Sequence, residues 1–145
     1  MSERTGAPAE LRLTKASAPT RRHFAERMVE RGATDSDFVV LVTEPTPFGL
    51  HDVKLAVGAV GILGIPCGLV INRSDMGDDR LREYAGAEGI PILMEIPFDR
   101  KIAESYSRGE LLVDVRPEWK EKFLQLYEKI TDFVKQASQT GGKQQ

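Results

Sequence analysis

The chain has 145 residues, of which 41% are apolar, which is enough for one domain with a core but hardly for two. Charged residues make up 29% of the chain and nearly cancel to a net charge of -2, so the composition indicates neither a nucleic-acid partner nor an acidic disordered tail. The only cysteine, Cys67, excludes a disulfide framework, a structural zinc site and an iron–sulfur cluster built from this chain alone.

Residues 1–36 are predicted to form an amino-terminal arm that contains one short helix. Residues 1–19 are rich in Ala, Ser, Thr and Pro and show no periodicity, so we expect them to be mobile. They contain no apolar signal core, so we expect an unexported protein. Phe24 and Met28 then lie one helical turn apart, and this spacing predicts a helix over residues 21–31. Gly32 is placed to end that helix.

Residues 37–137 are predicted to form the domain itself, built from repeated strand–helix units. Three uninterrupted apolar runs are typical of strands that are covered on both faces: residues 38–42, 67–71 and 92–96. Helices are predicted over residues 50–63, from Asp78 as N-cap to residue 88, and from Asp99 as N-cap to residue 108. Right-handed crossovers between such strands give an α/β fold with three layers, in which helices flank a parallel sheet of at least three strands.

The last predicted helix follows Pro117, and its apolar residues recur at three- and four-residue steps. They are Trp119, Phe123, Leu126, Tyr127, Ile130, Phe133 and Val134, so we expect one buried face. Residues 138–145 are expected to fray. The longest apolar stretch, residues 55–70, contains four glycines and a proline, so we predict no membrane partner and a cytoplasmic location.

The turns after the three strands are the candidate binding sites, because ligands of open parallel sheets bind beyond the carboxyl ends of the strands. The carboxamide of Asn72 offers a donor and an acceptor that match N6 and N7 of adenine. Arg73 can lie over a purine, with Pro97 and Phe98 as the opposite wall. From residue chemistry alone, an asparagine turn with an exposed arginine is an alternative interpretation.

Two further groups of polar residues lack the pattern of a catalytic or metal site. Glu44, His51 and Asp52 suggest a hydrolytic centre, but no nucleophile motif accompanies them, and a first-turn helix acid with a surface histidine is the better interpretation. The three aspartates between residues 75 and 79 lack the spacing of a calcium loop and fit a solvated turn with a helix cap. We therefore assign no catalytic residue and no metal ligand.

Four segments in series resemble the carboxyl-terminal part of the MinD/ParA/Mrp superfamily of P-loop ATPases: residues 42–52 (VTEPTPFGLHD), 64–66 (GIP), 70–73 (VINR) and 96–99 (IPFD). The resemblance extends over residues 37–112 and is strongest to the MinD-like ATPases that carry an inserted ferredoxin domain. It implies a partial P-loop NTPase fold, in which the residue matching Asn72 reads adenine. The residues matching Pro97, Phe98 and Asp99 would then lie against the base and ribose.

The resemblance does not extend to the phosphate-binding half of that family. The sequence contains no GxxxxGK[ST] loop, no cluster-binding cysteines and no DxPPG loop before the first strand. We therefore expect a truncated, split or excised half-domain that binds ATP or ADP on the adenine side, holds no iron–sulfur cluster and does not hydrolyse ATP alone. The alternative is a protein-interaction module that has kept the fold without nucleotide binding.

The remaining expectations concern interfaces. We predict that the loop after the first strand is an interface or switch loop, through Glu44, Pro45, Thr46, His51 and Asp52. In the family the strand matching residues 38–42 pairs with the P-loop strand, so its edge is left unpaired here. We expect self-association or a P-loop-bearing partner at this edge, or cover by the helix over residues 21–31.

Overall fold

The computed structural model describes residues 20–140, so the expectations for residues 1–19 and 141–145 lie outside the described residues. In this part of the chain three strands alternate with helices. The strands are β1 (Val39–Thr43), β2 (Cys67–Asn72) and β3 (Ile92–Ile96). The helices are α1 (Arg21–Glu30), α2 (Pro47–Leu63), α3 (Arg80–Glu88), α4 (Arg100–Ser107), α5 (Leu112–Val115) and α6 (Glu118–Thr140), with a 3₁₀ turn at Ala33–Asp35.

The three strands form one parallel sheet in the order β1-β2-β3. Leu41 of β1 pairs with Leu69 of β2, and Asn72 at the end of β2 pairs with Ile96 at the end of β3. A register irregularity between Leu69 and Val70 shifts β2 against β3. The predicted α/β class with a parallel sheet is confirmed, and all three strands end at the same edge of the sheet.

Helices cover both faces of the sheet and form two separate cores. On one face α2 and α3 pack on β2 through the buried side chains Val53, Leu69, Ile71, Leu81 and Ala85. On the other face α4, α5 and α6 contribute Ile102, Leu112 and Trp119, which pack against Met94 and Ile96 of β3. The side chains of successive strand residues point to opposite faces, so these short strands supply apolar contacts to both helix layers.

Two helices begin at positions that differ from the prediction. The helix expected from residue 50 begins at Pro47, because proline fits the first position of a helix and the Thr46 hydroxyl caps it by accepting from the Gly49 N–H at 3.0 Å. The helix expected from Asp78 begins at Arg80 after Asp79. The Asp78 carboxylate still accepts from the Arg80 N–H, at 3.1 Å, but from outside the helix.

The prediction that one face of the last helix is buried is correct for some of its residues and wrong for others. Trp119 is buried, and the ring of Phe133 stacks on that of Phe38 at 5.8 Å between centroids. Tyr127, however, is 69% exposed, and Leu124 on the same flank is also exposed. Within residues 20–140 the sheet has three strands, and it leaves part of the apolar stripe of this helix uncovered.

The first helix, α1, packs on α2, and its residue Met28 lies beside Val39 and Val40 at the start of β1. Ala25 is its buried residue. A Cβ atom at Gly58 of α2 would meet the side chain of Arg21, which shows how closely the two helices approach. The Thr20 hydroxyl caps α1 by accepting from the His23 N–H at 3.2 Å.

Gly77 holds the loop after β2 against the loop after β1. Its φ angle is 86°, in the left-handed region, and a Cβ atom there would overlap the carbonyl oxygen of Pro45. We predict that Gly77→Ala lowers the free energy of unfolding by about 2–4 kcal/mol, because backbone strain and a steric clash add together.

Gly89→Ala is the matched control for this prediction, since Gly89 has a similar φ of 66° but open space around its Cβ position. It should cost only about 1 kcal/mol. Urea unfolding monitored by circular dichroism measures both variants. Equal losses in the two variants would show that the Pro45 contact contributes nothing.

Candidate functional site

A cleft of about 230 Å³ opens at the carboxyl ends of the strands, on the sheet face that α4, α5 and α6 cover. The residues that line it come from all three strand ends and from the helices beyond them. They are Val42, Asn72, Arg73, Ile96, Pro97, Phe98, Asp99, Ile102, Ala103, Tyr106, Leu112 and Phe123. The five residues predicted to contact nucleotide, Asn72, Arg73, Pro97, Phe98 and Asp99, therefore lie around one cavity.

Hydrogen bonds between the turns after β2 and β3 fix the shape of this cleft. The Ser74 N–H donates to the Ile96 carbonyl at 3.0 Å and extends the β2–β3 ladder beyond Asn72. The Asp75 carboxylate accepts from the Phe98 N–H at 2.6 Å. These two bonds hold the turn with Asn72 and the turn with Phe98 side by side, so their side chains share one opening.

Asn72 combines a turn role with an unused donor. Its Oδ1 accepts from the Arg73 N–H at 3.0 Å, which stabilises the turn. Arg73 has φ 48°, a left-handed conformation that is uncommon for a residue other than glycine and that often occurs at functional sites. Within residues 20–140 the Nδ2 amine of Asn72 has no hydrogen-bond partner, and Oδ1 has a second lone pair.

The guanidinium of Arg73 connects the three strand ends. Its Nε lies 3.6 Å from Oε1 of Glu44, at the end of β1, and its Cζ lies 5.7 Å from the ring centroid of Phe98. The Arg73 side chain is 51% exposed, so water weakens both contacts and the side chain is free to move. The residues predicted to cover and to wall a purine, Arg73 and Phe98, thus contact each other.

Asp99 has two roles that together orient the far side of the cleft. Its Oδ1 accepts from the Lys101 N–H at 2.8 Å and caps α4, as predicted. Its Oδ2 accepts from Nη2 of Arg116 at 2.9 Å, which ties α4 to the segment between α5 and α6. The carboxylate therefore faces the cleft with its charge already paired.

The residues assigned to an interface or switch loop divide into two groups. Glu44 contacts Arg73, Pro45 is buried beneath the loop of Gly77, and Thr46 caps α2. His51 and Asp52 lie one turn further along α2, are exposed, and do not line the cleft. Only Glu44 of this loop contacts a residue of the candidate site directly.

The aspartates that follow β2 are each engaged by a protein group. Asp75 accepts from Phe98, and Asp78 and Asp79 form ion pairs with Arg80 at 2.6 Å and with Arg82 at 2.9 Å. The hydrogen bond from Arg80 is the main reason that the pKa of Asp78 is lowered. Among residues 20–140 no three His, Cys, Asp or Glu side chains are grouped so that they could hold a metal ion.

Several cleft residues were not identified from the sequence. The sequence places Val42 in a predicted strand and Ile102 and Phe123 in predicted helices, and an apolar side chain that lines a cavity has the same sequence pattern as one that fills a core. Leu112 lies between two predicted helices, where no periodicity indicates its role. Asp75 was assigned to a solvated turn. The sequence signal for Asp75 is its place in the turn that follows a strand. Its partner, the Phe98 N–H, lies 23 positions away, so the sequence does not indicate the contact.

The described part of the chain is thus an α/β protein with a small, partly apolar cleft at the carboxyl ends of its parallel strands. It is 38% identical over 82 residues to an uncharacterised protein of Methanocaldococcus jannaschii, covering 57% of this chain and 27% of that protein. It is also 35% identical over 92 residues to the iron–sulfur cluster carrier protein of Aquifex aeolicus, covering 54% of this chain and 25% of that protein.

These two matches are distant and partial, and the chain spans about a quarter of the length of the curated relatives it matches. The match to a cluster carrier is consistent, at the level of the family, with the resemblance to MinD/ParA-type P-loop ATPases. No family model matches the chain, and no solved structure shows significant similarity to it. No helix within residues 20–140 is long and apolar enough to cross a membrane.

Asp99 allows a test of how the cleft is held in shape. We predict that Asp99→Ala lowers the free energy of unfolding by about 1–2 kcal/mol, because α4 loses its cap and Arg116 loses its partner. Asp99→Asn keeps an acceptor for the Lys101 N–H and should lose less than half as much. Urea unfolding compares the two, and equal losses would mean that the charge pair with Arg116 dominates over the cap.

Cys67 should behave as a packed residue and not as a reactive thiol. Burial raises the pKa of its thiol, so at pH 8 the folded protein should react with a disulfide reagent more slowly than the chain in urea. The same shift makes the folded state less stable as pH rises above about 8.5, because the unfolded thiol ionises first. Burial also raises the pKa of Tyr84, so Cys67→Ser should remove only the part of the decline that begins at about pH 8.5. A decline in that variant that begins at the same pH and is equally steep would contradict the assignment.

Proposed function

We propose that this chain is an adenine-nucleotide-binding half-domain of the MinD-like kind, which binds the base and ribose of ATP or ADP and does not hydrolyse ATP by itself. The observation that supports this proposal is the shared cleft, in which Asn72, Arg73 and Phe98 from two different strand ends surround one opening. The similarity to an iron–sulfur cluster carrier adds support from the sequence.

The chemistry of Asn72 suits adenine in particular. Its Nδ2 amine donates to N7, while the second lone pair of Oδ1 accepts from the N6 amine, and the bond from Oδ1 to the Arg73 N–H is kept. Guanine presents an acceptor where adenine presents that amine, so it loses one of these two hydrogen bonds. The site should therefore discriminate between the two purines.

Arg73 and Phe98 form the two walls that the base enters. The guanidinium moves away from the Phe98 ring, and the purine enters between them. One cation–π contact is then replaced by a stack of the guanidinium, the purine and the Phe98 ring. Glu44 remains within reach of Arg73 and limits how far the side chain moves. The movement costs little free energy, because the side chains of Arg73 and Glu44 are about half exposed and water weakens their contact.

The small volume of the cleft and the lack of a phosphate-binding loop in the sequence favour binding of the base over binding of the phosphates. A volume of about 230 Å³ is below the roughly 300–1,000 Å³ of sites that enclose a whole drug-sized ligand. The sequence has no glycine-rich lysine loop to neutralise a triphosphate. Adenosine, ADP and ATP should consequently bind with similar, roughly millimolar affinity, and hydrolysis would require a phosphate loop that these 145 residues do not contain.

A nuclear magnetic resonance titration of the ¹⁵N-labelled protein tests this proposal. Adenosine, ADP and ATP at millimolar concentration should shift the amides of Asn72, Arg73 and Phe98, whereas guanosine should bind roughly tenfold more weakly. Asn72→Asp keeps the acceptor for the Arg73 N–H but removes the donor to N7. In this variant the turn should stay folded, and the amide shifts should no longer reach saturation in the titration.

Gln125→Ala is the matched control, because it removes an exposed carboxamide on α6 that does not line the cleft. Its titration should be indistinguishable from that of the unmodified protein. The absence of any amide shift at millimolar adenosine and ATP would reject nucleotide binding by this chain.

A second candidate function is a protein-interaction module that has kept the fold without the ligand. It is favoured by large apolar side chains exposed near the strand ends, with Phe48 84% exposed and Val42 65% exposed. For this function, capture of a specific partner would be unchanged by ATP and by Asn72→Asp. A partner whose binding requires both ATP and Asn72 would favour the half-domain instead.

A further inference from the structure

The outer edge of β1 carries main-chain groups that β2 does not use. The Val39 N–H donates to the Pro66 carbonyl at 2.9 Å, and Val39, Leu41 and Thr43 share this orientation toward β2. The N–H and C=O groups of alternate residues point to opposite sides of a strand. Those of Val40 and Val42 therefore point away from the sheet, where no described strand pairs with them.

The sequence of β1 itself carries none of the features that usually prevent pairing. The strand reads VVLVT, without charge, proline or a bulge, and it is the terminal strand of the sheet. Val42 is 65% exposed although it is a β-branched residue in a strand. Met28 and Ala33 lie near the start of β1 but leave a gap of about 400 Å³ beside Val39 and Val40, so residues 20–140 do not close this edge.

We propose that the edge of β1 pairs with the same strand of a second copy of this chain, antiparallel about a twofold axis through Leu41. In this register Val40 faces Val42 of the second copy, and the two residues exchange both of their outward hydrogen bonds. The axis generates the same exchange again, giving roughly four main-chain hydrogen bonds. The result is one continuous sheet of twice the width.

The side chains of the strand favour a second copy as the occupant. Opposed residues in an antiparallel pair point to the same face, so the two Leu41 side chains meet at the axis and each exposed Val42 lies beside Val40 of the other copy. No charged residue lies within β1, so bringing two identical strands together creates no repulsion inside the ladder. The pairing requires no nucleotide.

Val42→Pro isolates this interaction, because it removes the outward N–H and leaves the bonds between β1 and β2 intact. Analytical ultracentrifugation over roughly 1–200 μM protein should show the unmodified chain in a monomer–dimer equilibrium. Val42→Pro should raise the dimer dissociation constant by roughly tenfold or more, since each of the two copies loses one hydrogen-bond donor. Val42→Thr keeps the β-branched shape and the N–H, and should leave the constant within about threefold.

Val42→Lys provides a second variant in case the proline disturbs the strand, with circular dichroism confirming that each variant is folded. It places two like charges close to the axis and should also give monomers. A dimer that persists in both folded variants would overturn the proposal by placing the interface elsewhere. A chain that remains monomeric at the highest concentration would also overturn it, and would leave the edge to a strand from a different protein.

Discussion

The hydrogen bonds between the turns after β2 and β3 are the constraint on which the candidate site depends. Without the bonds from Ser74 to Ile96 and from Phe98 to Asp75, the turns after β2 and β3 would be joined only through the Asn72–Ile96 pair at the end of the ladder. The parallel sheet brings the strand ends to one edge, but these bonds bring the side chains to one cavity. The contact between Arg73 and Glu44 then includes the end of β1.

The architecture could be predicted from the sequence because its signals are local. Apolar runs over residues 38–42, 67–71 and 92–96 give strands that are correct to within one residue. Helix starts were less accurate, since Pro47 both interrupts a strand and begins a helix, and either of two adjacent aspartates, Asp78 or Asp79, could have preceded α3. The boundary depends on which hydrogen bond forms, and composition does not determine that.

The candidate site was only partly predictable, for a different physical reason. Asn72, Arg73, Pro97, Phe98 and Asp99 follow strands directly, so the topology rule for parallel sheets selects them. The bond of Asp99 to Arg116 and the place of Phe123 in the cleft depend on how α5 and α6 turn back over the sheet. Such contacts link distant parts of the chain, and no periodicity in the sequence encodes them.

The edge of β1, which no strand within residues 20–140 pairs with, connects the two proposals because two partners would compete for it. A strand from a P-loop-bearing partner would need the outward groups of Val40 and Val42, which are the same groups that a second copy would use. One edge cannot pair with both. Self-pairing would therefore protect an aggregation-prone edge strand when no partner is present. A partner would have to bind this edge with a higher affinity than a second copy does. Because Val42 also lines the cleft, occupation of the edge would alter one wall of the candidate adenine site.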